Sequence, residues 1–490
     1  MDANLTHKMF VPLLLAVVLT ACGGGGGGGG TPNIGGAPPP ASADVKAFGA
    51  VTGIGPGVVV NGVDYDTSGA TFTIDGAAGS LGDLGLGDVV VVEGTLGASG
   101  VTGTATSVTF RDSVDGPIFG IDRTGGLLLI LGQMVKVNAE TSFGDTVPMN
   151  SLDGLNVGDT VEVSGFEKAA TTEIAATRVE LKSGGGEFEV TGVVSNLDTV
   201  NLRFMINGLV VDYSGATLRD FGAGSISDGD RVEAKGNTLG GAGELIATSV
   251  EFEGGVINGN QGDRLEIEGF ITRFASSTDF DVATQPVTTN AQTVFEGGVA
   301  ADLGLNVKVE VEGDIDANGV LVATKVDIRR AKAVRITADV DSVDSANDRL
   351  VLLGIDVEVD ELTRVEDKSS ADVEPLTLAD INAGDYLEVR GSEDPNSTAD
   401  VVAVIVERED PDTEAILQGF VVSVTEPSLE ILGVTIETNG ATVFRDVNDA
   451  PLTSMQFFAQ LVAGDLVKAK GIESSATVIT ASEVEFELEQ

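Results

Sequence analysis

Residues 87–94 read GDVVVVEG, a glycine and an aspartate followed by a run of valines and a second glycine. The pattern recurs at GDTVEVSG (158–165), GDRVEAKG (229–236), GDYLEVRG (384–391) and GDLVKAKG (464–471). A sixth copy, NVKVEVEG (306–313), lacks the first glycine and the aspartate. We call the five intact pairs the repeat markers: Gly87 with Asp88, Gly158 with Asp159, Gly229 with Asp230, Gly384 with Asp385, and Gly464 with Asp465. A spacing of 71 to 80 residues indicates repeated small domains.

Each marker lies in the same order of predicted elements. In the first repeat, Asn61-Gly62 predicts a two-residue hairpin turn, because both turn positions need a positive φ. Leu81 and Leu84 have helical spacing before the marker, and ATSVTF (105–110) is a closing strand. Three strands, a short helix and two strands are typical of an OB barrel. We therefore predict an all-β fold of about six small OB-like five-stranded β-barrels, each with a short helix before strand four, after a disordered N-terminal tether.

The repeats and the flanking composition predict the domain boundaries. Residues 1–21 are a predicted lipoprotein signal peptide, and residues 22–45 are a Gly/Pro-rich tether that cannot form a core. The predicted repeats are 46–112, 115–182, 187–254, 263–329, 333–408 and 414–488. In the last repeat, Thr453 and Gln456 have the spacing of a helix capping box, which predicts the longest of the short helices.

The N-terminus has the pattern of an export leader. Lys8 precedes an apolar run at 9–21 that is too short to span a hydrocarbon core of ~30 Å. The following LTAC (19–22) resembles a bacterial lipobox, which implies cleavage after Ala21 and lipid attachment to Cys22. By the same resemblance, Gly23 in place of aspartate implies delivery to the outer membrane. The alternative is an ordinary secretory leader in which Cys22, the one cysteine, has no such role.

The lipobox, the poly-Gly tether and the repeat together resemble bacterial lipoproteins that carry tandem copies of an OB-like domain of unknown function. The resemblance covers nearly all of the chain after the leader. It implies an exported protein, lipid-anchored to the cell envelope at the periplasmic face or the cell surface. The membrane is then a partner through the lipidated N-terminus. The resemblance implies no activity.

The composition excludes much of enzyme chemistry. The 490 residues include 76 Asp+Glu and 28 Lys+Arg, for a net charge of -48, yet 42% are hydrophobic, so the chain can bury cores. Its one histidine, His7, and its one cysteine, Cys22, lie in the first 22 residues. Catalytic triads and the usual zinc sites need these side chains. Carboxylate pairs and lysine nucleophiles remain possible, but we expect no enzyme and no cofactor.

Nucleic acid is not an expected partner. Binding needs a basic groove and aromatic stacking surfaces, whereas the chain has no Trp, three Tyr and a strongly negative charge. Four phenylalanines at alternating strand positions are predicted to be core: Phe48, Phe110, Phe119 and Phe252. The densest basic group is predicted to make contacts in the linker between repeats four and five: Arg329, Arg330 and Lys332.

Calcium is the one candidate cofactor. Asp314, Asp316 and Asn318 lie in DIDANG, which matches the first half of an EF-hand loop. The twelfth position of that loop is Lys325 rather than glutamate. Asp, Asn and Gly also form ordinary turns, so a plain hairpin is the alternative for this segment, and we favour it.

Three classes of function remain open. We favour a non-catalytic envelope lipoprotein whose repeats act as a structural, spacer or adhesive element, with an envelope protein or polysaccharide as partner. A second is an OB-type binding protein for an oligosaccharide or another small neutral or cationic ligand. A third is a carboxylate-based enzyme. A structural or spacer element predicts equivalent repeats. A binding protein predicts an exposed apolar or aromatic cleft in one repeat, and an enzyme predicts two close carboxylates in such a cleft.

Overall fold

The chain folds into six five-stranded β-barrels. The computed structural model describes residues 43–169, 173–183, 186–222, 224–254, 257, 259–329, 333–360, 362–393, 397–447 and 449–487. The predicted signal peptide, Ala21 and Cys22 lie outside these residues, as does nearly all of the predicted tether. The first strand begins at Ala43, three residues before the predicted start of repeat 1.

The first three repeats contain these strands in chain order. Those of repeat 1 are Ala43–Ile54, Val58–Val60, Val63–Asp66, Thr71–Ile74, Ala77–Gly79, Val89–Leu96 and Thr102–Phe110. Those of repeat 2 are Val114–Asp122, Leu127–Ile130, Gln133–Lys136, Ser142–Phe143, Thr160–Glu167 and Glu173–Leu181. Those of repeat 3 are Phe188–Asp198, Arg203–Ile206, Leu209–Asp212, Thr217–Arg219, Arg231–Gly236, Leu245–Ile246 and Ser249–Phe252.

The last three repeats follow the same order. The strands of repeat 4 are Arg264–Ser276, Asp279–Val282, Gln285–Thr288, Val294–Glu296, Lys308–Ile315 and Leu321–Arg329. Those of repeat 5 are Val334–Asp344, Arg349–Leu352, Ile355–Glu358, Arg364–Asp367, Tyr386–Ser392 and Val401–Arg408. Those of repeat 6 are Ala415–Thr425, Ser428–Ile431, Val434–Glu437, Val443–Arg445, Pro451–Leu452, Leu466–Ser475 and Val478–Phe486.

Each barrel closes in the same strand order. In repeat 1 the first strand pairs with the second, the second with the third, and the third runs parallel to the closing strand Thr102–Phe110. The closing strand pairs with Val89–Leu96, which follows the marker and returns to the first strand; we call this strand and its counterparts in the other repeats strand four of the barrel. Closure leaves no free edge within the barrel. The all-β, OB-like barrel prediction is therefore confirmed.

Two glycines of the repeat pattern are required by the backbone. The marker glycine takes a left-handed φ of 88° to 96° in all five intact markers, a conformation that costs other L-residues ~1–2 kcal/mol. The second glycine lies against the closing strand, where a Cβ at Gly94 would come within 2.1 Å of the Thr104 carbonyl oxygen. Repeat 4 has Asn306 at the marker position with φ 63°, because asparagine tolerates the left-handed region better than most residues.

The marker aspartate stabilises the same turn. The carboxylate of Asp159 accepts the backbone N–H of Asn156, at 2.7 Å from nitrogen to oxygen. Asp88 and Asp230 accept the corresponding N–H groups of Gly85 and Ser227. The Gly-Asp pattern thus specifies a turn into strand four.

A pair of substitutions tests this reading of the marker. Gly158→Ala is expected to lower the free energy of unfolding by about 1–2 kcal/mol, since alanine must take a left-handed φ there. No atom lies within 4 Å of the added Cβ, so the cost comes from the backbone alone. Asn306→Gly, the reciprocal change, is expected to raise stability. Urea unfolding followed by circular dichroism measures both, and a Gly158→Ala midpoint equal to that of the parent would contradict the assignment.

The short helix before strand four is less regular than predicted. Four repeats have a 3₁₀ turn directly before the marker segment, at Leu81–Asp83, Leu152–Gly154, Ala300–Asp302 and Leu378–Asp380, and repeat 2 has a second one at Pro148–Asn150. Repeat 6 has the α-helix Ser454–Gln460, capped by Thr453 and Gln456 as predicted. In repeat 3 the described residues between Arg219 and Arg231 contain no helix, so the prediction of one in every repeat is wrong. That segment has glycine and serine instead of spaced leucines, and these residues favour helices poorly.

Hydrophobic cores fill the barrels, but two predicted core residues are outside them. Phe110 is 1% exposed, and Phe48 packs between repeats. Phe119 is 47% exposed and Phe252 is 36% exposed. In the strand Val114–Asp122 the inward positions are Val114, Gly116 and Ile118, so Phe119 points outward by ordinary alternation, and the β-bulge changes the phase only after it.

The barrels associate in three pairs through their first strands. Repeats 2 and 3 pair at Val114 and Val190, and repeats 5 and 6 pair at Ile336 and Leu417, both antiparallel. Repeat 1 pairs in parallel with repeat 4, from Val45 opposite Arg264 onward, and not with its neighbour repeat 2. Each pair forms one 13-stranded sheet. The six barrels belong to one compact unit.

Candidate functional site

The predicted calcium segment is a hairpin turn. Asp314 lies in strand four of repeat 4, and Asp316 begins the turn into the closing strand. The Asp316 Oδ1 atom accepts the backbone N–H groups of Asn318 and Val320, at 2.7 and 3.0 Å. This carboxylate is therefore already used within the turn.

Charged residues join the repeats at other places in the structure. One buried group of them joins repeat 5 to repeat 2. Arg364, which is 3% exposed, donates to the Ser142 hydroxyl and to the Thr177 carbonyl at 3.1 and 2.9 Å. It also donates to the carbonyl of Glu140. Arg390 of repeat 5 donates to the neighbouring Thr141 carbonyl at 2.8 Å. Two arginines of one barrel thus satisfy the backbone of another.

Repeat 4 completes this group, which we call the central junction: Glu140, Glu268, Lys308, Arg364 and Arg390. The Lys308 Nζ atom lies 2.5 Å from a Glu140 carboxylate oxygen and 2.9 Å from one of Glu268. Glu268 also accepts the backbone N–H of Ala50 in repeat 1. Burial opposes ionisation of Glu268, but Lys308 and then Arg329 hold its pKa below the ordinary value. The central junction therefore joins repeats 1, 2, 4 and 5 by compensated charges.

Arg329 has a different role from the predicted one. It is the last residue of the closing strand of repeat 4, and it pairs with Glu310 and Asp327 of the same barrel. The prediction of a linker contact is therefore wrong for Arg329. Arg330 and Lys332 lie outside the described residues.

An apolar cluster lies beside the central junction. It contains Ala50 and Val89 of repeat 1, Phe166 and Ala175 of repeat 2, and Phe270 of repeat 4. The rings of Phe166 and Phe48 meet edge to face with centroids 5.8 Å apart. Three barrels thus share one buried apolar contact.

A second charged group lies where repeats 1, 2 and 3 meet, and it consists almost entirely of acids. Asp115 is directly opposite Glu162 in strand four of repeat 2, and directly opposite Glu189 in the first strand of repeat 3. Cross-strand partners point to the same face of a sheet, and like charges in such pairs destabilise it. Lys182 and Lys235 pair with Glu162 and Glu189, at 2.5 and 2.7 Å.

Two further aspartates complete this group, which we call the acidic cluster: Asp75, Asp112, Asp115, Glu162 and Glu189. Asp75 lies in a hairpin turn of repeat 1, and Asp112 lies in the linker to repeat 2. Oxygen atoms of Asp75, Asp112 and Glu189 lie within 4.8 Å of one another, as do those of Asp112, Asp115 and Glu162. All five residues line a cavity of about 650 Å³.

The acidic cluster is electrostatically strained. Burial, and then the carboxylates of Glu189 and Asp75, raise the pKa of Asp112 well above its ordinary value. Burial also raises the pKa of Asp115 to about 7, against the effect of Lys182. Asp75 is raised to a pKa of about 6, again chiefly by burial. The ionised forms of these groups therefore lack enough partners among the described residues.

Sequence reasoning did not find the acidic cluster. Its members span residues 75–189 and come from three repeats, so no local spacing joins them. The one sequence feature that hints at the cluster is the pair Asp112 and Asp115, which flank the start of repeat 2. In the structure, the pairing of the first strands places them beside repeat 3.

Comparisons with known proteins fit the repeat architecture. The family model described as domain of unknown function (DUF5666) matches six times, at residues 48–109, 115–180, 191–251, 268–327, 337–407 and 418–485. A search of curated proteins finds no match. A solved structure titled "drosophila Unr CSD456" is similar over 45% of this chain and 98% of its own length, at 14% identity and a TM-score of 0.12. A likeness at that TM-score supports no argument. Among the described residues, no helix is long and apolar enough to cross a membrane.

Proposed function

Because the chain belongs to the DUF5666 family through six tandem repeats, we propose that it is a non-catalytic structural lipoprotein of the cell envelope. Its six barrels form one packed body, and lipid on Cys22 anchors that body to the membrane. The resemblance of LTAC at residues 19–22 to a lipobox is the observation that supports the anchoring.

The contacts between repeats support a structural role. The barrels share first-strand pairs, the central junction and the apolar cluster around Phe166. The arginines of the junction donate to backbone carbonyls of another barrel and thereby help to hold the body together. A packed body of this kind presents a fixed surface to an envelope partner, whether a protein or a polysaccharide.

The side-chain chemistry supports a non-catalytic role. Beyond residue 22 the sequence contains neither histidine nor cysteine, so it lacks the side chains of the common nucleophile–base pairs. Several of the most buried carboxylates are paired with a cation of their own barrel, as Glu310 is with Arg329 and Glu407 is with Arg390.

The lipid anchor is tested by Cys22→Ser in the full chain. We expect the parent protein to sediment with membranes and its mature N-terminal peptide to begin at acylated Cys22, because stable anchoring needs more than one acyl chain. Cys22→Ser is expected to lose the acyl mass and to leave the membrane fraction. Thr20→Ser, which keeps the lipobox pattern, is the matched control and is expected to behave like the parent. A parent protein with unacylated Cys22 would refute the anchor.

A further inference from the structure

We propose that the acidic cluster is a Ca²⁺ site that joins repeats 1, 2 and 3. The cluster has five carboxylates and two lysines, and one of those lysines, Lys235, is shared with the buried Glu233 outside the cluster, so the anions outnumber the cations. The central junction, by contrast, balances its acids with Lys308, Arg364 and Arg390. A buried excess of negative charge is stable only with a counter-cation or with bound protons.

Asp112 gives the strongest indication of a ligand. It is 3% exposed, and its Oδ1 atom is buried without a hydrogen-bond partner. One oxygen of Asp115 is also buried and unpartnered, whereas the Glu189 carboxylate faces that of Glu233. Buried polar atoms are nearly always hydrogen-bonded, so two such atoms in one cavity point to a bound group.

The spacing of the oxygens suits calcium. Ca²⁺ binds oxygen ligands at about 2.3–2.6 Å with flexible geometry, so oxygens that share one ion lie at most about 5 Å apart. Both carboxylate triads meet this limit, and Asp112 belongs to both. Carboxylates are hard ligands, which favours Ca²⁺ over the softer transition metals. The remaining coordination positions would be filled by water.

The fold itself does not require these acids. Repeats 5 and 6 pair through their first strands in the same register, with Thr337 opposite both Glu388 and Ile416. Thr337 and Ile416 therefore stand where Asp115 and Glu189 stand in repeats 2 and 3. Neutral residues occupy the same positions in repeats 5 and 6, so the acids of the acidic cluster need another explanation. Cation binding provides it.

The test is a calorimetric titration of the purified full chain, stripped with EDTA, with CaCl₂ and separately with MgCl₂. We expect saturable Ca²⁺ binding with a Kd no weaker than about 1 mM, the range of extracellular calcium modules, and weaker Mg²⁺ binding. Asp112→Asn and Asp115→Asn are each expected to weaken Ca²⁺ binding at least about tenfold. Asp316→Asn is the matched control, because that carboxylate is used within a turn, and it is expected to bind like the parent.

Thermal unfolding in EDTA and in CaCl₂ provides a second measurement. The parent is expected to melt higher in CaCl₂, since a ligand that binds only the folded state stabilises it. Asp112→Asn and Asp115→Asn are expected to lose this rise while melting in EDTA no lower than the parent, because each removes one repelling charge. An absence of saturable Ca²⁺ binding up to about 10 mM would overturn the proposal. It would also be overturned if both variants kept the parent affinity, or if Asp316→Asn alone lost it.

Discussion

Replacing Arg364 by methionine is expected to lower the free energy of unfolding by about 3–5 kcal/mol. Methionine keeps much of the apolar stem, but it leaves the Ser142 hydroxyl and the Thr177 carbonyl without their buried donor. It also leaves the charge of Glu140, which opposes the effect of burial on the pKa of Arg364, less compensated. Urea unfolding followed by circular dichroism measures the loss.

Arg349→Met in the same repeat is the matched control for Arg364. Arg349 pairs with Asp356, whose side chain is 43% exposed, and such surface pairs contribute less than about 1 kcal/mol. We therefore expect a much smaller shift of the urea midpoint. Equal losses in the two variants would show that Arg364 does not hold repeats 2 and 5 together.

Phe166→Ala is expected to cost about 3–5 kcal/mol, the usual range for truncating a buried phenylalanine. Phe166 is 3% exposed, contacts Phe48 of repeat 1, and has the Lys308 Nζ atom of repeat 4 at 5.1 Å from its ring centroid. Its removal leaves a cavity where three barrels meet. The free energy of unfolding in urea is again the measurement.

Phe119→Ala tests whether the loss at Phe166 comes from burial between repeats. Phe119 belongs to the same repeat but is 47% exposed. Substitution there is expected to change stability by no more than about 0.5 kcal/mol. If Phe166→Ala lowered the free energy of unfolding no more than Phe119→Ala does, the result would contradict the packing of repeats 1, 2 and 4 around Phe166.

The barrel could be predicted from sequence because its determinants are local and repeated. The left-handed glycine, its aspartate cap and the close approach at the second glycine all lie within eight residues, so each intact copy of the pattern indicates the same turn and the same close approach. Phe119 shows the limit of alternation, since its apolar character does not decide which face of the strand is inward, and it lies out of phase with the buried Ile118.

The association of the barrels could not be predicted in this way. Which first strands pair depends on surfaces that have no period in the sequence, and repeat 1 joins repeat 4 rather than its neighbour. The acidic cluster depends on that association, because Asp75 and Glu189 are distant in sequence and meet only where three repeats pack. The residues of the DIDANG motif, by contrast, are consecutive in the sequence, but the carboxylate of Asp316 accepts backbone N–H groups within a turn.

The parallel pairing of repeats 1 and 4 also constrains how the chain is assembled. Ala50 and Glu268 are 218 positions apart in the sequence. The first strand of repeat 1 therefore lacks its partner strand in repeat 4 until repeat 4 has been synthesised. Repeats 2 and 3 are synthesised in the interval, and contacts between residues so far apart in the sequence form slowly. The barrels therefore cannot complete their native contacts strictly in order from the N-terminus to the C-terminus. Repeat 1 is synthesised first but is among the last to acquire all of its contacts with other repeats.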